Sequence, residues 1–314
     1  MKNKCLYCYE PVQEGIDFHE KCSKEFFGTT KPLEIPYFIS QMTELAKNVV
    51  ERSITVPGVQ AKISMTLIKE TKDKNDFRFT VVGALGGNYI LKPPTDNYPE
   101  MPQNEHLTMR IAQAFSLQVV PSSLIRLKSG ELSYITKRID RSSTNQKIHM
   151  LDMFQITEAF DKYKSSMETI EKAIHKYSEN TLLDKIYLFE LTLFCFLTGN
   201  NDMHLKNFSM IESAVGWTLA PAYDLLNVSI ILPEDKDELA LTMEGKKKKL
   251  KREHFEKYAI RSGLTQKQID SVFNRMIKNK PTALGWIEKS FLSSEMKKKY
   301  IDTLEARYMQ LELI

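Results

Sequence analysis

A change of pattern near residue 145 does most to limit what this chain can fold into. Before it, apolar residues alternate with polar ones, as Ile63, Met65 and Leu67 do, which is the period of a half-buried strand. After it, apolar residues recur at helical spacing. The first part predicts strands at 63–67, 77–82, 88–92, 122–127 and 131–137, and a helix at 105–115. The second predicts helices at 150–160, 165–177, 181–198, 253–262, 265–278 and 295–312, with a short strand at 216–219. We therefore expect an α+β protein with a β-rich first half and a helical second half.

The composition is that of an ordinary globular protein and excludes several classes. With 42% apolar and 27% charged residues among 314, the chain is not of the disordered or collagen-like type. Its 44 basic and 40 acidic residues leave a net charge of +4, which by itself does not indicate nucleic acid or membrane as a partner. The most apolar stretch, Ile186 to Gly199, is interrupted by Glu190, and the first residues lack the apolar run of a signal peptide. We expect a cytoplasmic protein without a membrane partner.

Two segments of the first half carry residues suited to phosphate binding. Residues 53–62, SITVPGVQAK, place a Pro-Gly pair before a strand, where backbone N–H groups can face phosphate oxygens. Such a pair is equally a simple turn. In YILKPP, residues 89–94, Lys92 ends an apolar strand, and Glu105 on the next helix can orient its ammonium group. Taken alone, Lys92 also fits a surface lysine at a strand end.

Two segments of the second half carry residues suited to catalysis and metal binding. Residues 199–208, GNNDMHLKNF, place polar groups at the end of an apolar helix. Asp202 followed five residues later by Asn207 is the spacing of a phosphotransferase catalytic loop, in which the Asp is the base and the Asn binds magnesium. Gly199 also fits a simple helix stop. In LAPAYDL, residues 219–225, Asp224 lies in an apolar run, where a carboxylate needs a partner such as a metal ion.

These segments, together with NEHLTMRIA at residues 104–112, resemble the HipA family of serine/threonine protein kinases, the toxins of bacterial toxin–antitoxin modules. The similarity runs from about residue 50 to 270, and by its length the chain resembles the short HipT type, which lacks an extra N-terminal subdomain. It implies a two-lobed, protein-kinase-like fold. The implied division is a leader at 1–35, a β-rich N-lobe with the Gly-rich loop at 36–140, and a helical C-lobe with the catalytic and metal loops at 141–314.

The resemblance also implies roles for individual residues. Asp202 would be the catalytic base, Asn207 and Asp224 the magnesium ligands, and Glu105 the support of Lys92. Autophosphorylation in the Gly-rich loop would fall on Thr55 or on the nearby Ser53. The implied ATP-binding residues are Pro57, Gly58, Val59, Gln60, Ala61, Lys62, Lys92, the hinge residues Lys137, Arg138 and Ile139, then His204, Leu205, Lys206, Asn207, Tyr223 and Asp224.

Two positions depart from the family pattern. Pro57 stands where the short toxins have a second serine, and Ile139 stands where the hinge usually has an aromatic residue. Neither departure affects Asp202, Asn207 or Asp224, so we expect an active kinase and not a pseudokinase.

The leading hypothesis is an ATP- and Mg²⁺-dependent protein kinase toxin that inactivates itself by autophosphorylation. The family implies a translation component such as an aminoacyl-tRNA synthetase as substrate. It also implies two partners, a small antitoxin corresponding to the missing subdomain and a DNA-binding antitoxin. The alternatives are a small-molecule phosphotransferase on the same scaffold and a non-catalytic module of a DNA-bound complex. The basic run at 246–252 fits a solvated turn better than a nucleic-acid contact, so direct nucleic-acid binding is not expected.

Three of the four cysteines lie within the first 22 residues. Cys5 and Cys8 form one C-x2-C pair, and His19 and Cys22 form an H-x2-C pair, which is the spacing of a tetrahedral zinc site. Zinc can supply folding energy to a short segment with little core. His19 and Cys22 equally fit packing residues, so both interpretations stay open. Cys195, in the apolar helix, fits a buried small apolar residue.

Overall fold

The computed structural model describes residues 3–31, 33–50, 62–69, 77–82, 86–98, 100–142 and 144–313. The chain forms two compact units, each of which is built from three separate stretches of the sequence. Unit 1 comprises Met1–His106, Val120–Asn145 and Lys289–Phe291, and unit 2 comprises Leu107–Val119, Gln146–Glu288 and Leu292–Ile314. The leader at 1–35 is therefore part of the same unit as the predicted strands. The predicted loop residues Ser53, Thr55 and 57–61 lie outside the described residues.

Unit 1 contains a five-stranded antiparallel sheet. Its strands are β1 Ile63–Lys69, β2 Phe77–Val81, β3 Tyr89–Lys92, β4 Ser122–Arg126 and β5 Leu132–Lys137. Their spatial order is β2-β1-β3-β5-β4, with β3 in the centre. The register pairs Lys92 of β3 with Tyr134 of β5. All five predicted strands are confirmed to within two residues at each end, because alternation and Gly-containing turns are strong local signals.

Two helices precede this sheet, α1 at Glu20–Phe27 and α2 at Ile39–Val50, and the sequence patterns did not predict them. The eight residues of α1 end at Gly28, whose φ of +79° allows its N–H to donate to the Lys24 carbonyl oxygen at 3.0 Å. The ring centroid of Phe26 lies 6.1 Å from that of Tyr89, and the centroid of Phe27 lies 5.9 Å from that of Phe79. Helix α1 is therefore held by aromatic packing on the sheet rather than by local propensity.

Helix α3, Met101–Ala114, passes from unit 1 into unit 2 after His106. The other helices of unit 2 are α4 Met153–Ile156, α5 Met167–Tyr177, α6 Thr181–Leu197, α7 Arg252–Arg261, α8 Gln266–Lys289 and α9 Ser294–Gln310. The last residue of α8, Lys289, belongs to unit 1. Helix α6 is buried from Leu188 to its end, as expected for a helix that is apolar on all sides. None of the described helices is long and apolar enough to span a membrane.

A three-stranded sheet in unit 2 corrects one prediction. Its strands are β6 Met150–Asp152, β7 Ser209–Ser213 and β8 Gly216–Leu219, in that order. The predicted helix at 150–160 is wrong, because 150–152 pair with 209–211 of β7 and only the single turn of α4 follows. Asp152 caps that turn by accepting the N–H of Gln155 at 2.9 Å. The predicted helix at 265–278 is also too short, since α8 continues to Lys289.

Candidate active site

Lys92 and Glu105 form a buried ion pair in unit 1. Nζ of Lys92, at the end of β3, lies 2.6 Å from Oε1 of Glu105 in α3, and the two side chains are 5% and 1% exposed. The ring centroid of Tyr134 lies 5.3 Å from the same Nζ. The structure thus brings together the two residues that the sequence paired, and a surface position for Lys92 is excluded.

The predicted hinge residues lie at the last residue of β5, Lys137, and at the two positions that follow it. Burial lowers the pKa of Lys137, and its Nζ lies 5.4 Å from the ring centroid of Phe26. Arg138 is committed to neighbouring groups of unit 1: its side chain forms a two-point ion pair with Asp140, at 2.7 and 2.9 Å, and donates to the carbonyl oxygen of Gly86 at 3.2 Å. Ile139 is half-buried, and Lys62, the first described residue before β1, is exposed.

A polar loop, residues 199–207, begins where α6 ends. Gly199 has φ +71°, and its carbonyl oxygen accepts the N–H groups of Val228 and Ser229 at 3.0 and 3.1 Å. A Cβ atom at Gly199 would lie 2.7 Å from Oδ1 of Asn227, so only glycine fits without movement. Gly199 is therefore a helix stop and also the residue that fixes the start of the loop.

Asp202 and Asn207 are joined within the polar loop. The backbone carbonyl oxygen of Asp202 accepts Nδ2 of Asn207 at 2.9 Å and the N–H of His204 at 2.8 Å. Since Asn207 donates through its nitrogen, its Oδ1 is the atom suited to a metal ion. Asn207 is 8% exposed, whereas Asp202 is half-buried. The loop presents a carboxylate and an amide oxygen five residues apart.

Tyr163 is a site residue that the sequence analysis missed. Its hydroxyl donates to Oδ1 of Asp202 at 2.7 Å, and its ring lies edge-on to His204 with centroids 5.0 Å apart. Burial and the hydrogen bond with Asp202 raise the pKa of Tyr163, so the hydroxyl remains a donor at neutral pH. A single tyrosine in a loop carries no motif, and no sequence signal could have identified it.

His204 is buried in the polar loop as a neutral imidazole. Burial lowers its pKa to about 4, with a further contribution from Lys162, although the carboxylates of Asp202 and Asp224 act in the opposite direction. Its Nδ1 is buried and makes no hydrogen bond to any described residue. A buried ring nitrogen of this kind is costly, and it fits a position at which a polar ligand binds.

Asp224 lies in the segment 220–225 with its backbone in the left-handed region, at φ +57°. The preceding residue, Tyr223, donates its hydroxyl to the carbonyl oxygen of Lys206 at 3.0 Å and lies 2.5 Å from Oγ of Ser209. Lys206 directly precedes Asn207. This hydrogen bond therefore ties together the two segments that carry the predicted magnesium ligands.

Polar residues of α6 hold the start of the same segment. The N–H of Ala222 donates to the hydroxyl of Tyr187 at 3.0 Å and to the carbonyl oxygen of Gln118 at 2.8 Å. The buried carboxylate of Asp184 accepts the N–H of Leu219 at 2.7 Å, and burial raises its pKa. The sequence analysis did not identify Asp184 or Tyr187 as site residues. The signal that could have indicated them is a pair of polar side chains three residues apart in an otherwise apolar helix.

The remaining predicted residues of the loop have separate surroundings. Leu205 is buried, whereas Lys206 is exposed with its Nζ 4.7 Å from the ring centroid of Phe154. In the basic run, Lys248 pairs with Asp237 at 3.0 Å and Arg252 with Glu256 at 2.8 Å. These partners fit the interpretation of the run as a solvated turn.

The four N-terminal Cys and His residues meet in unit 1. The ligand atoms of Cys5, Cys8, His19 and Cys22 all lie within 4.8 Å of one another. Nδ1 of His19 is 3.4 Å from Sγ of Cys8 and 3.8 Å from Sγ of Cys22. All four cysteines of the chain are free thiols, and Cys195 is buried in α6. We call the four grouped residues the Cys/His cluster.

Comparison with known proteins places this arrangement in a family. The sequence profile of the HipA-like C-terminal domain matches residues 54–284. A Haemophilus influenzae protein named as a kinase is 29% identical over 242 residues, which cover 73% of this chain and 66% of that protein. The serine/threonine-protein kinase toxin HipA of Shewanella oneidensis is 24% identical over 213 residues, which cover 61% of this chain and 47% of that protein. The chain thus spans 47% to 66% of the length of these two relatives.

Two solved structures share the fold. Shewanella oneidensis HipA, in a complex with HipB and operator DNA, aligns with a TM-score of 0.68 at 20% identity, covering 82% of this chain and 65% of that one. The Helicobacter pylori proinflammatory kinase CtkA aligns with a TM-score of 0.51 at 16% identity, covering 71% and 87%. These alignments confirm the predicted α+β, kinase-like fold. Because the profile covers most of its length, the chain belongs to the family of proteins with a HipA-like C-terminal domain.

Proposed function

We propose that this chain is an ATP- and Mg²⁺-dependent protein serine/threonine kinase that acts as the toxin of a bacterial toxin–antitoxin module. The observation that carries the proposal is the geometry of the polar loop. The hydroxyl of Tyr163 orients the carboxylate of Asp202, and the backbone carbonyl oxygen of Asp202 accepts a hydrogen bond from the side chain of Asn207. Phosphoryl transfer depends on positioning and on charge stabilisation more than on covalent catalysis, so this small set of groups is sufficient.

Asp202 would act as the base for the attacking hydroxyl. Tyr163 occupies Oδ1 and orients the carboxylate, so that Oδ2 can accept the proton of a serine or threonine hydroxyl. The half-buried position of Asp202 suits contact with a side chain of another protein. The neutral imidazole of His204, held edge-on to Tyr163, would add no charge beside the base.

Asn207 and Asp224 would hold the metal ion. An amide oxygen and a carboxylate are ligands that Mg²⁺ prefers, and the Tyr223–Lys206 hydrogen bond links the segments that carry them. Bound Mg²⁺ would neutralise charge on the phosphate oxygens of ATP. Lys92, oriented by Glu105, would contact the α/β-phosphates, while Pro57 to Lys62 would cover them and Lys137 to Ile139 would lie beside adenine.

Asp202→Asn tests the assignment with little change of volume. We expect phosphate transfer from γ-labelled ATP to fall by about 10²- to 10⁴-fold, while nucleotide affinity is retained. The matched control is Asp302→Asn, which alters an exposed acid of α9 in the same unit and should leave transfer unchanged. Normal turnover by the Asp202 variant would refute the proposed role of the loop.

We further propose that phosphorylation of Thr55 or Ser53 switches the enzyme off. A phosphate adds roughly −1.5 to −2 charges next to a phosphate-binding loop, which disfavours ATP. Peptide mass spectrometry after incubation with ATP and Mg²⁺ should find the modification, and Thr55→Ala should remove or reduce it. Equal ATP affinity of the phosphorylated and unphosphorylated chains would contradict the switch.

The partners proposed are a small antitoxin and a DNA-binding antitoxin, supported by the solved Shewanella oneidensis complex of HipA with HipB and operator DNA. The proposed substrate is a translation component such as an aminoacyl-tRNA synthetase. Labelled ATP added with a cell lysate should mark one discrete protein band. Label found only in small molecules would indicate the alternative small-molecule phosphotransferase, and the absence of any transfer would indicate a non-catalytic module.

A further inference from the structure

The Cys/His cluster lies outside the proposed phosphotransfer chemistry and has the composition of a metal site. Three sulfur atoms and one imidazole nitrogen lie within 4.8 Å of one another, and no disulfide joins the sulfurs. Zinc is the ion that Cys₃His sets bind in tetrahedral structural sites. The sequence left packing as an equal interpretation for His19 and Cys22, but packing does not require four donor atoms to converge.

The orientation of the His19 ring favours a ligand role. Its Nε2 lies 3.0 Å from the backbone carbonyl oxygen of Pro11 and donates to it, which leaves the lone pair of Nδ1 toward the sulfurs of Cys8 and Cys22. Metal-binding histidines commonly donate their second ring nitrogen in this way, because that bond fixes both the tautomer and the ring plane. A histidine that only packs has no need of this orientation.

The backbone around Cys5 is shaped as a metal-binding knuckle. The N–H of Tyr9 donates to the carbonyl oxygen of Cys5 at 2.9 Å, and the N–H of Cys5 donates to the carbonyl oxygen of Glu10 at 2.9 Å. Tyr9 completes the turn with a left-handed φ of +66°, which a tyrosine adopts only when its surroundings hold it there.

We propose that Cys5, Cys8, His19 and Cys22 bind one structural Zn²⁺ ion, and that this ion fastens the N-terminal segment to the sheet of unit 1. Besides α1, the segment contacts strand β4 of the sheet through Leu6 and Asp17. The N–H of Leu124 in β4 donates to the carbonyl oxygen of Leu6 at 3.3 Å, and Arg126 in β4 forms a two-point ion pair with Asp17, at 2.9 and 3.1 Å.

The same knuckle reaches the neighbourhood of the Lys92–Glu105 ion pair. Tyr9, one residue after Cys8, is 1% exposed, and its hydroxyl lies 2.8 Å from Nδ1 of His106. His106 is the residue after Glu105. The zinc site would therefore support, from within unit 1, the part of α3 that positions Glu105.

Metal analysis of the full chain, purified with reducing agent and without chelator, tests the proposal. We expect about one zinc ion per chain in the wild type and in Cys195→Ala, which changes a buried cysteine outside the cluster. Cys8→Ser and His19→Ala should each lose zinc. A wild type that carries no zinc and takes up none when zinc is added would overturn the site.

Cobalt substitution tests the site in the wild-type protein, and therefore does not depend on whether a variant folds. The wild type reconstituted with Co²⁺ should show the visible absorption of a tetrahedral site and sulfur-to-cobalt charge transfer, and chelation should lower its melting temperature. An octahedral spectrum, or melting that does not respond to chelator, would contradict a structural Cys₃His site. Thiol alkylation gives a separate check, because finding two cysteines joined as a disulfide in the native protein would also refute it. None of these measurements depends on kinase activity.

Discussion

The Lys92–Glu105 pair and the polar loop place charged groups in opposite situations. In unit 1, a cation and an anion lie 2.6 Å apart and almost fully buried, so each carries its counter-charge within the chain. In unit 2, the half-buried carboxylate of Asp202 is held by a neutral tyrosine hydroxyl. From this difference we expect that neutralising Glu105 lowers the stability of the fold, whereas neutralising Asp202 lowers the rate of phosphate transfer.

Glu105→Gln should produce the largest change in stability. It removes the negative charge that lies 2.6 Å from the buried Nζ of Lys92, and we expect a loss of about 3–5 kcal/mol in the free energy of unfolding. Denaturant titration of wild type and variant measures it. The matched control is Glu295→Gln, which breaks the exposed pair with Lys299 and should give no measurable change. A loss as small as in the control would show that the buried pair contributes no more to stability than an exposed one.

Acid should destabilise the polar loop through His204. Its folded-state pKa of about 4 lies below the ordinary value of 6.5, so its contribution to stability is present above pH 6.5 and is lost as the pH falls toward 4. Between about pH 7.5 and about pH 5, the wild type should lose about 2 kcal/mol more than His204→Gln. Denaturant titrations at the two pH values measure this difference. His175→Gln, at an exposed histidine of α5, should follow the wild type.

Tyr163→Phe should give the smallest effect, one confined to catalysis. It removes the neutral donor from Oδ1 of Asp202 and should lower kcat for phosphate transfer by about 10-fold, without changing KM for ATP or the free energy of unfolding. Tyr177→Phe, at an exposed tyrosine of α5, should behave as wild type. A fall in stability with unchanged kcat would give Tyr163 a structural role and weaken the contrast between the regions.

Local patterns predicted the elements that carry the site better than they predicted the contacts within it. The strand that ends at Lys92 and the buried helix before Gly199 were predicted to within one residue, because alternation and a continuous apolar run are local signals. Helix α1 was not predicted, because its eight residues are too few to show a clear helical period. Aromatic packing against strands far away in the sequence holds it in place.

Contacts between residues far apart in the sequence were beyond such patterns. Tyr163 and Asp202 are separated by 39 residues, and nothing near Tyr163 marks it as a partner. The Cys/His cluster is an intermediate case. Its spacing indicated four candidate ligands but left packing open for His19 and Cys22, whereas the convergence of the four residues and the Pro11 carbonyl that orients His19 became visible only in the structure.

The left-handed backbone at Asp224 limits which sequences this position can accept. At φ +57°, glycine, asparagine and aspartate are tolerated best, while β-branched residues are strained. A random library at this codon, selected only for soluble protein, should return these three. Selected for phosphate transfer, it should return aspartate alone, because glutamate keeps the charge but fits the backbone less well and moves the carboxylate by one methylene. The backbone conformation and the need for a carboxylate thus together leave only aspartate at position 224. Any substitution there should lower stability, activity or both.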